Sequence, residues 1–201
     1  MNISLSTDAE RDDTPLSLLD GLRQNDESAW SRLVELWTPL IYGSCRSRGF
    51  SSVDSDDIAQ TVIVRVYKGL PGFHRDGASR RFRFWIMKIL RNEIARFCQQ
   101  NSDRPAAAGG SDHQVILQNL SESESPSDSD WFSPARVVAR ALEVIRNDFD
   151  EKNWHAFELV EFEKLPNQEV ADRLGMTANS VRQATFRIRK RLKQELEGML
   201  E

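Results

Sequence analysis

The segment 165–196 has the pattern of two helices separated by a tight turn, and it constrains the fold more than any other part of the sequence. Apolar residues recur at helical spacing from Val170 to Leu174, and Gly175 stands where a left-handed glycine commonly ends a helix. Thr177 can begin the next helix, because its hydroxyl can accept a hydrogen bond from a free N–H group of the first turn. The spacing therefore predicts a helix-turn-helix.

The second helix of this motif has two chemically different faces. From Arg182 to Lys193 there are six Lys or Arg residues and no acid. The face that we expect to pack inward consists of Val181, Ala184, Ile188 and Leu192. The opposite face supplies the candidate DNA-binding residues Asn179, Arg182, Gln183, Phe186, Arg187 and Lys190. Arg, Asn and Gln side chains can read base edges in the major groove, and further cations can contact phosphates. A surface helix with a solvated basic face is the alternative interpretation.

The charge distribution favours a nucleic-acid partner although the net charge is -4. Residues 101–133 hold six acids against the single Arg104, whereas residues 75–96 hold seven Lys or Arg against two acids. Basic patches thus occupy two separate segments, with an acidic stretch between them.

Several classes of protein do not fit the sequence. No apolar run reaches membrane-spanning length, and the acidic N-terminus lacks a signal-peptide pattern, so we expect a cytoplasmic protein without membrane insertion. Two cysteines, Cys45 and Cys98, give no disulfide framework. The adjacent Asp56 and Asp57 diverge on a helix and do not form a metal pair. The histidines are scattered, and no phosphate-binding glycine loop or metal-ligand spacing occurs, so we expect no enzyme, no cofactor and no metal.

The first part of the chain predicts a compact helical unit. Asp26 can cap one helix and Asp54 the next, and Pro71-Gly72 then breaks the chain. A third helix is expected from about Phe82, ending near Gln100. We expect Phe82 and Trp85 to be core residues.

These patterns predict an all-α protein with two small helical domains joined by a flexible acidic linker. We place a disordered tail at 1–15, the first domain at 16–100, the linker at 101–132 and the helix-turn-helix domain at 133–201. Serines alternate with acids within 121–130, where phosphorylation and plain solvation both remain open.

Three segments in this order resemble the extracytoplasmic-function (ECF) subfamily of sigma-70-type bacterial transcription initiation factors. Residues 57–67 are similar to the helix that docks on core RNA polymerase. Residues 73–92 are similar to the segment that recognises and melts the minus-ten promoter element. The terminal helix-turn-helix is similar to the reader of the minus-thirty-five element. The chain departs from the family pattern at Thr61, where many relatives carry an acid, and at Ala184, where an Arg is frequent.

The resemblance implies an alternative sigma factor that binds core RNA polymerase and promoter DNA. A partner such as an anti-sigma factor or another regulator is also implied. The implied polymerase-binding residues are Asp57, Gln60, Thr61, Val64 and Arg65. The implied minus-ten residues are Phe73, His74, Arg83, Lys88, Arg91, Asn92 and Arg96. Aromatic rings beside cations suit unpaired bases, although Phe73 could equally be a core residue. An ordinary helix-turn-helix regulator that binds DNA alone is the alternative, and it would leave the basic segment 73–96 unexplained.

Overall fold

The computed structural model describes residues 17–73, 82–101 and 131–200, and within these ranges the regular structure is entirely helical. The all-α prediction is therefore confirmed. The helices are α1 (Leu18–Arg23), α2 (Glu27–Ser47), α3 (Ser52–Gly69), α4 (Phe82–Asn101), α5 (Pro134–Ile145), α6 (Glu151–Glu161), α7 (Asn167–Leu174) and α8 (Ala178–Leu196). Short 3₁₀ turns cover Leu70–Gly72 and Arg146–Asp148. None of the helices described is long and apolar enough to cross a membrane.

The starts of α2 and α3 are fixed by side-chain caps. Asp26 caps α2 as predicted, with its carboxylate accepting from the Ser28 N–H at 2.8 Å. The prediction that Asp54 caps α3 is wrong, because Ser51 holds that position and accepts from the Asp54 N–H at 3.1 Å. The Ser51 hydroxyl donates in turn to the Asp54 carboxylate at 2.7 Å, which holds the cap in place.

The first four helices enclose one hydrophobic core. Trp37 at the middle of α2 is fully buried and makes an edge contact with Phe82 of α4, their ring centroids 5.8 Å apart. Phe82 is a core residue as predicted, whereas Trp85 is only partly buried against the core. Helix α3 packs against both α2 and α4, and this leaves one long face of α3 in solvent.

The last four helices form two smaller clusters around α8. Ile145, Trp154 and Phe157 pack with Ile188, while Val170 and Ala171 of α7 pack with Val181 of α8 among their neighbours. Ser133 caps α5, with Pro134 as the first helical residue.

The two groups of helices also pack against each other, which the sequence patterns do not predict. Four residues beyond position 130 are buried in the same core as α1–α4, namely Phe132, Val137, Ala141 and Met199. The predicted tail at 1–15 and most of the linker predicted at 101–132 lie outside the described residues, whereas Trp131 and Phe132 at the end of that predicted linker pack in this core. Helix α5 therefore bridges the two groups, because it packs on α2 as well as on α8.

Candidate nucleic-acid and polymerase interfaces

The helix-turn-helix consists of α7, a short turn and α8. Gly175 ends α7 with a positive φ of 58°, the left-handed conformation that glycine adopts without steric cost. The N–H of Met176 donates to the Ala171 carbonyl at 2.9 Å, which closes the turn. Thr177 caps α8 by accepting from the Ser180 N–H at 3.0 Å. Both predicted boundary residues thus occupy their expected places.

Helix α8 presents the polar face that its periodicity predicts. Val181, Ala184 and Ile188 are buried, and Leu192 is partly buried. The six candidate DNA-binding residues of the helix are all exposed, namely Asn179, Arg182, Gln183, Phe186, Arg187 and Lys190. Phe186 is 65% exposed, an unusual position for a phenyl ring. The structure therefore brings a hydrogen-bonding, cationic and apolar surface together on one helix face.

Two other cations of α8 are held by carboxylates. Arg189 pairs with Glu161 of α6, and Arg191 pairs with Asp148 at 2.9 Å and Glu195 at 2.5 Å. In contrast, among the described residues no carboxylate lies within ion-pair distance of Arg182, Arg187 or Lys190. The ion pairs thus hold Arg189 and Arg191 in place, whereas Arg182, Arg187 and Lys190 on the exposed face are available to bind an anion.

Helix α4 carries a second basic face. Lys88, Asn92 and Arg96 are exposed at intervals of four residues, so that they lie along one side of the helix. The Arg96 guanidinium lies 3.8 Å from the Glu93 carboxylate.

Arg91 and Arg83 are less accessible than the other predicted residues of α4. Arg91 is half-buried beside Arg48, and its positive charge helps to lower the pKa of Arg48, although burial is the larger cause. Arg83 is also half-buried, and its guanidinium donates to the Phe132 carbonyl at 3.2 Å.

Phe73 does not offer the predicted stacking surface in this structure. Its side chain is 6% exposed, and its ring packs on Phe82 and Trp85 with centroid distances of 5.4 and 4.8 Å. The reason is local: the 3₁₀ turn Leu70–Gly72 directs the chain back over the start of α4. His74 lies outside the described residues.

A better-placed aromatic residue is Phe84, which the analysis of the sequence did not select. It is 40% exposed, and the Arg83 guanidinium carbon lies 4.4 Å from its ring centroid. The signal in the sequence is the alternation of rings and cations at the start of α4, where Phe84 points away from Phe82. A pocket of about 590 Å³ lies on the other side of Phe73, and its walls include Trp30, Tyr67 and Lys68.

The outward face of α3 contains the predicted polymerase-binding residues. Asp57, Gln60, Thr61, Val64 and Arg65 are all exposed. The face also carries exposed apolar side chains that the analysis of the sequence did not select, Val53 at 67% and Tyr67 at 55% exposure, and Val64 is 49% exposed. These residues recur every three or four positions, which could have revealed them as one stripe. The result is a mixed apolar and polar surface along α3.

Arg65 has a structural partner. Its Nε lies 3.1 Å from the Glu93 carboxylate, and Glu93 is buried with 7% exposure. Since a buried carboxylate requires a partner, Arg65 supports the packing of α3 on α4.

Reactive groups are few in the described part of the chain. Burial raises the pKa of the Cys45 thiol to about 12, against a smaller opposing effect of Arg48, and raises that of Cys98 to about 11. Both cysteines are free and buried. No group of three or more His, Cys, Asp or Glu residues suited to a metal ion occurs within the described ranges.

Comparisons with known proteins match both halves of the chain. The sigma-70 region 2 family matches residues 33–104, and the sigma-70 region 4 family matches residues 155–192. The chain is 27% identical over 175 residues to the RNA polymerase sigma factor SigZ of Bacillus subtilis, covering 87% of this chain and 88% of that protein.

Two further relatives are ECF RNA polymerase sigma-E factors. The one from Haemophilus influenzae is 21% identical over 93% of this chain and 97% of its own length. The one from Escherichia coli K12 is 23% identical over 91% of this chain and 94% of its own length. No solved structure matches the chain.

Both matched families are regions of one class of protein, the sigma subunits of RNA polymerase. Both occur on this one chain, with region 2 before region 4. The chain belongs to the ECF subfamily of the sigma-70 family.

Proposed function

We propose that this chain is an alternative sigma factor that binds core RNA polymerase, directs it to specific promoters and helps to melt the minus-ten region. The observation that carries the proposal is the presence of a region 2 and a region 4 on one chain that aligns with sigma factors over most of its length. This family consists of transcription initiation factors rather than enzymes. A cytoplasmic location follows from the proposal, because core RNA polymerase acts on chromosomal DNA.

The exposed stripe of α3 is the surface that we assign to polymerase. Its support is the combination of Val64 at 49% exposure with the neighbouring polar residues Asp57, Gln60 and Thr61. Exposed apolar side chains surrounded by polar ones are typical of protein interfaces. Arg65 adjoins this surface, and its ion pair with Glu93 holds α3 against α4.

The exposed face of α8 is assigned to the minus-thirty-five element. It offers Arg187, Asn179 and Gln183 as readers of base edges, and Arg182 and Lys190 as phosphate contacts. The face of α4 with Lys88, Asn92 and Arg96 is assigned to the minus-ten element, with Arg83 and Arg91 beside it. Phe84 replaces Phe73 as the ring that we expect to stack on an unpaired base.

The test is reconstitution. The purified chain is mixed with bacterial core RNA polymerase, and complex formation is measured before transcription from a library of promoter sequences. A stable complex that initiates at a shared sequence supports the proposal. Binding of the free chain to DNA without a polymerase complex would instead favour the independent helix-turn-helix regulator.

An anti-sigma factor or another regulator is a further proposed partner, as the family suggests. The serine-rich segment 121–130 is a second candidate for regulation and lies outside the described residues. Replacing its five serines by alanine should alter promoter activity in cells if phosphorylation matters; unchanged activity would leave the segment as a solvating linker.

A further inference from the structure

The pocket of about 590 Å³ beside Phe73 is bounded by α1, α2, α3 and the 3₁₀ turn that follows α3. Its volume lies within the range of small-molecule sites, roughly 300–1,000 Å³. The apolar part of its wall consists of Leu22, Trp30, Leu70, Pro71 and Phe73. The pocket therefore has the size and the apolar wall that a small organic ligand requires.

Aromatic rings from two helices shape this wall. The rings of Trp30 on α2 and Tyr67 on α3 meet edge to face, with their centroids 4.8 Å apart. Phe73 adds a third ring to the lining. Because aromatic rings form favourable offset and edge contacts with one another, such a wall suits a ligand with a planar body.

The charged groups of the pocket are cationic. Arg23 and Lys68 belong to its lining, and no Asp or Glu is among the described residues that line it. The Arg23 guanidinium lies 3.6 Å from the Asp20 carboxylate, which compensates part of its charge. Lys68, in contrast, has no carboxylate within ion-pair distance in the described part of the chain. The pocket therefore favours a ligand with a negative charge, and Lys68 is the cation available to pair with it.

Two neutral hydrogen-bonding groups complete the lining. The Asn25 amide and the Tyr67 hydroxyl form no hydrogen bond with any residue that the structure describes. Asn25 lies in the turn between α1 and α2 with a φ of 56°, a left-handed conformation in which Asn is enriched. An apolar pocket with a few available polar groups is the usual composition of a small-molecule site.

The pocket is separate from the surface that we assign to the minus-ten element. Phe73 stands between the two, because it lines the pocket and its ring also packs on Phe82 and Trp85 at the start of α4. None of the α4 residues assigned to the minus-ten element is among the described residues of the lining. These positions favour a free small molecule over a base of the promoter strand as the occupant.

We propose that this pocket is a binding site for a small amphipathic anion, a molecule with a planar apolar body and one carboxylate. The rings of Trp30 and Phe73 contact the body, and Lys68 pairs with the carboxylate. Asn25 and Tyr67 supply hydrogen bonds that orient the ligand. Tyr67 is 55% exposed and also belongs to the face of α3 assigned to core polymerase, so the ligand lies beside that face. The site goes beyond the proposed function and does not depend on it.

The test uses 2-naphthoate as the probe and the full chain as the protein. This probe has two fused rings and one carboxylate, whereas 2-naphthamide has the same rings without the charge. We expect isothermal titration calorimetry to give a dissociation constant of about 1 mM or tighter for 2-naphthoate. The constant for 2-naphthamide should be at least about fivefold weaker. No binding of 2-naphthoate, or equal affinity for the two ligands, would overturn the inference.

A substitution at Lys68 tests which cation holds the carboxylate. Lys68→Gln removes the charge of an exposed side chain and should weaken the binding of 2-naphthoate about two- to tenfold. Its affinity for 2-naphthamide should equal that of the wild type. Lys164→Gln is the matched control, because Lys164 is exposed before α7 and does not line the pocket. Equal affinity of the Lys68→Gln variant and the wild type for 2-naphthoate would contradict the proposed site.

The location of the probe is tested by NMR of the tryptophan indole N–H groups. The signal that disappears in Trp30→Phe belongs to Trp30, and Trp154→Phe assigns a control in the second half of the chain. Addition of 2-naphthoate should shift the Trp30 signal and leave that of Trp154 in place, because Trp30 lines the pocket and Trp154 packs in the cluster around Ile188. An unshifted Trp30 signal would overturn the inference. Displacement of 2-naphthoate by single-stranded DNA of random sequence would also overturn it, because the pocket would then belong to the promoter strand.

Discussion

Arg187 and Lys190 lie on the same exposed face of α8 but carry different hydrogen-bonding groups. The Arg guanidinium can form two parallel bonds to a guanine edge, whereas the Lys ammonium acts on phosphate as a point charge. We expect Arg187→Ala to cost about 1–3 kcal/mol and to relax base preference in the minus-thirty-five element. Lys190→Ala should weaken binding to all promoter sequences alike and reduce the salt dependence of that binding. Competition between promoter variants, measured with the holoenzyme, distinguishes the two; retained selectivity in the Arg187→Ala protein would exclude Arg187 as a reader.

Phe84 and Phe162 are both exposed phenylalanines, but only Phe84 has a cation over its ring and lies on the basic α4. We expect Phe84→Ala to lose roughly 1–3 kcal/mol of stacking on an unpaired base. Promoter melting, followed by permanganate reactivity of unpaired thymines, should then decrease while core polymerase binding is unchanged. Phe162→Ala is the control, and the holoenzyme with this variant should melt the promoter as the wild type does. Normal melting by both variants would assign base capture to other residues.

Among the helices, α3 separates contacts with polymerase from contacts within the protein. Gln60 and Val64 are exposed and contribute to no core cluster, whereas Arg65 on the next position pairs with the buried Glu93. We therefore expect the double variant Gln60→Ala and Val64→Ala to weaken binding to core polymerase by about 1–3 kcal/mol without loss of helicity. Binding is measured by titration against core polymerase, and helicity by circular dichroism.

The matched control for this surface is Ser31→Ala, an exposed position on α2. It should bind like the wild type. If the double variant also binds like the wild type, the docking surface lies elsewhere than on α3.

The outcome for individual helices shows what periodicity can predict. The faces of α8 follow from its own sequence, because a single helix packed on one side needs no information from elsewhere. The burial of Phe73 depends on where a 3₁₀ turn directs the chain, and the cap of α3 depends on which of two nearby side chains accepts the hydrogen bond. Such choices are made by local geometry, which residue spacing does not specify.

The packing of the two halves depends on contacts between residues far apart in sequence. Pro39 and Gly43 look unfavourable inside a helix when α2 is considered alone. Their use becomes evident only when Arg140 and Trp131 are placed beside them. Arg140 donates to the Glu35 carbonyl that Pro39 leaves free, and the Trp131 ring fills the space that a Cβ atom at Gly43 would occupy. The sequence contains both partners of each contact, but no periodic pattern links them.

A substitution at Met199 can show whether the two groups of helices unfold as one cooperative unit. Although it follows α8, it is fully buried in the core formed by α1–α4. Met199→Ala should therefore destabilise that distant core, by about 2–5 kcal/mol if the cavity does not collapse. Hydrogen exchange measured helix by helix should show faster exchange in α2 and α4, because these helices lose a buried neighbour. Met176→Ala is the control: Met176 packs with the cluster around α7, so its effect should stay within the second half. Unchanged exchange in α2 with Met199→Ala would mean that the C-terminal residues spend little time in the core, and that the halves fold and move independently.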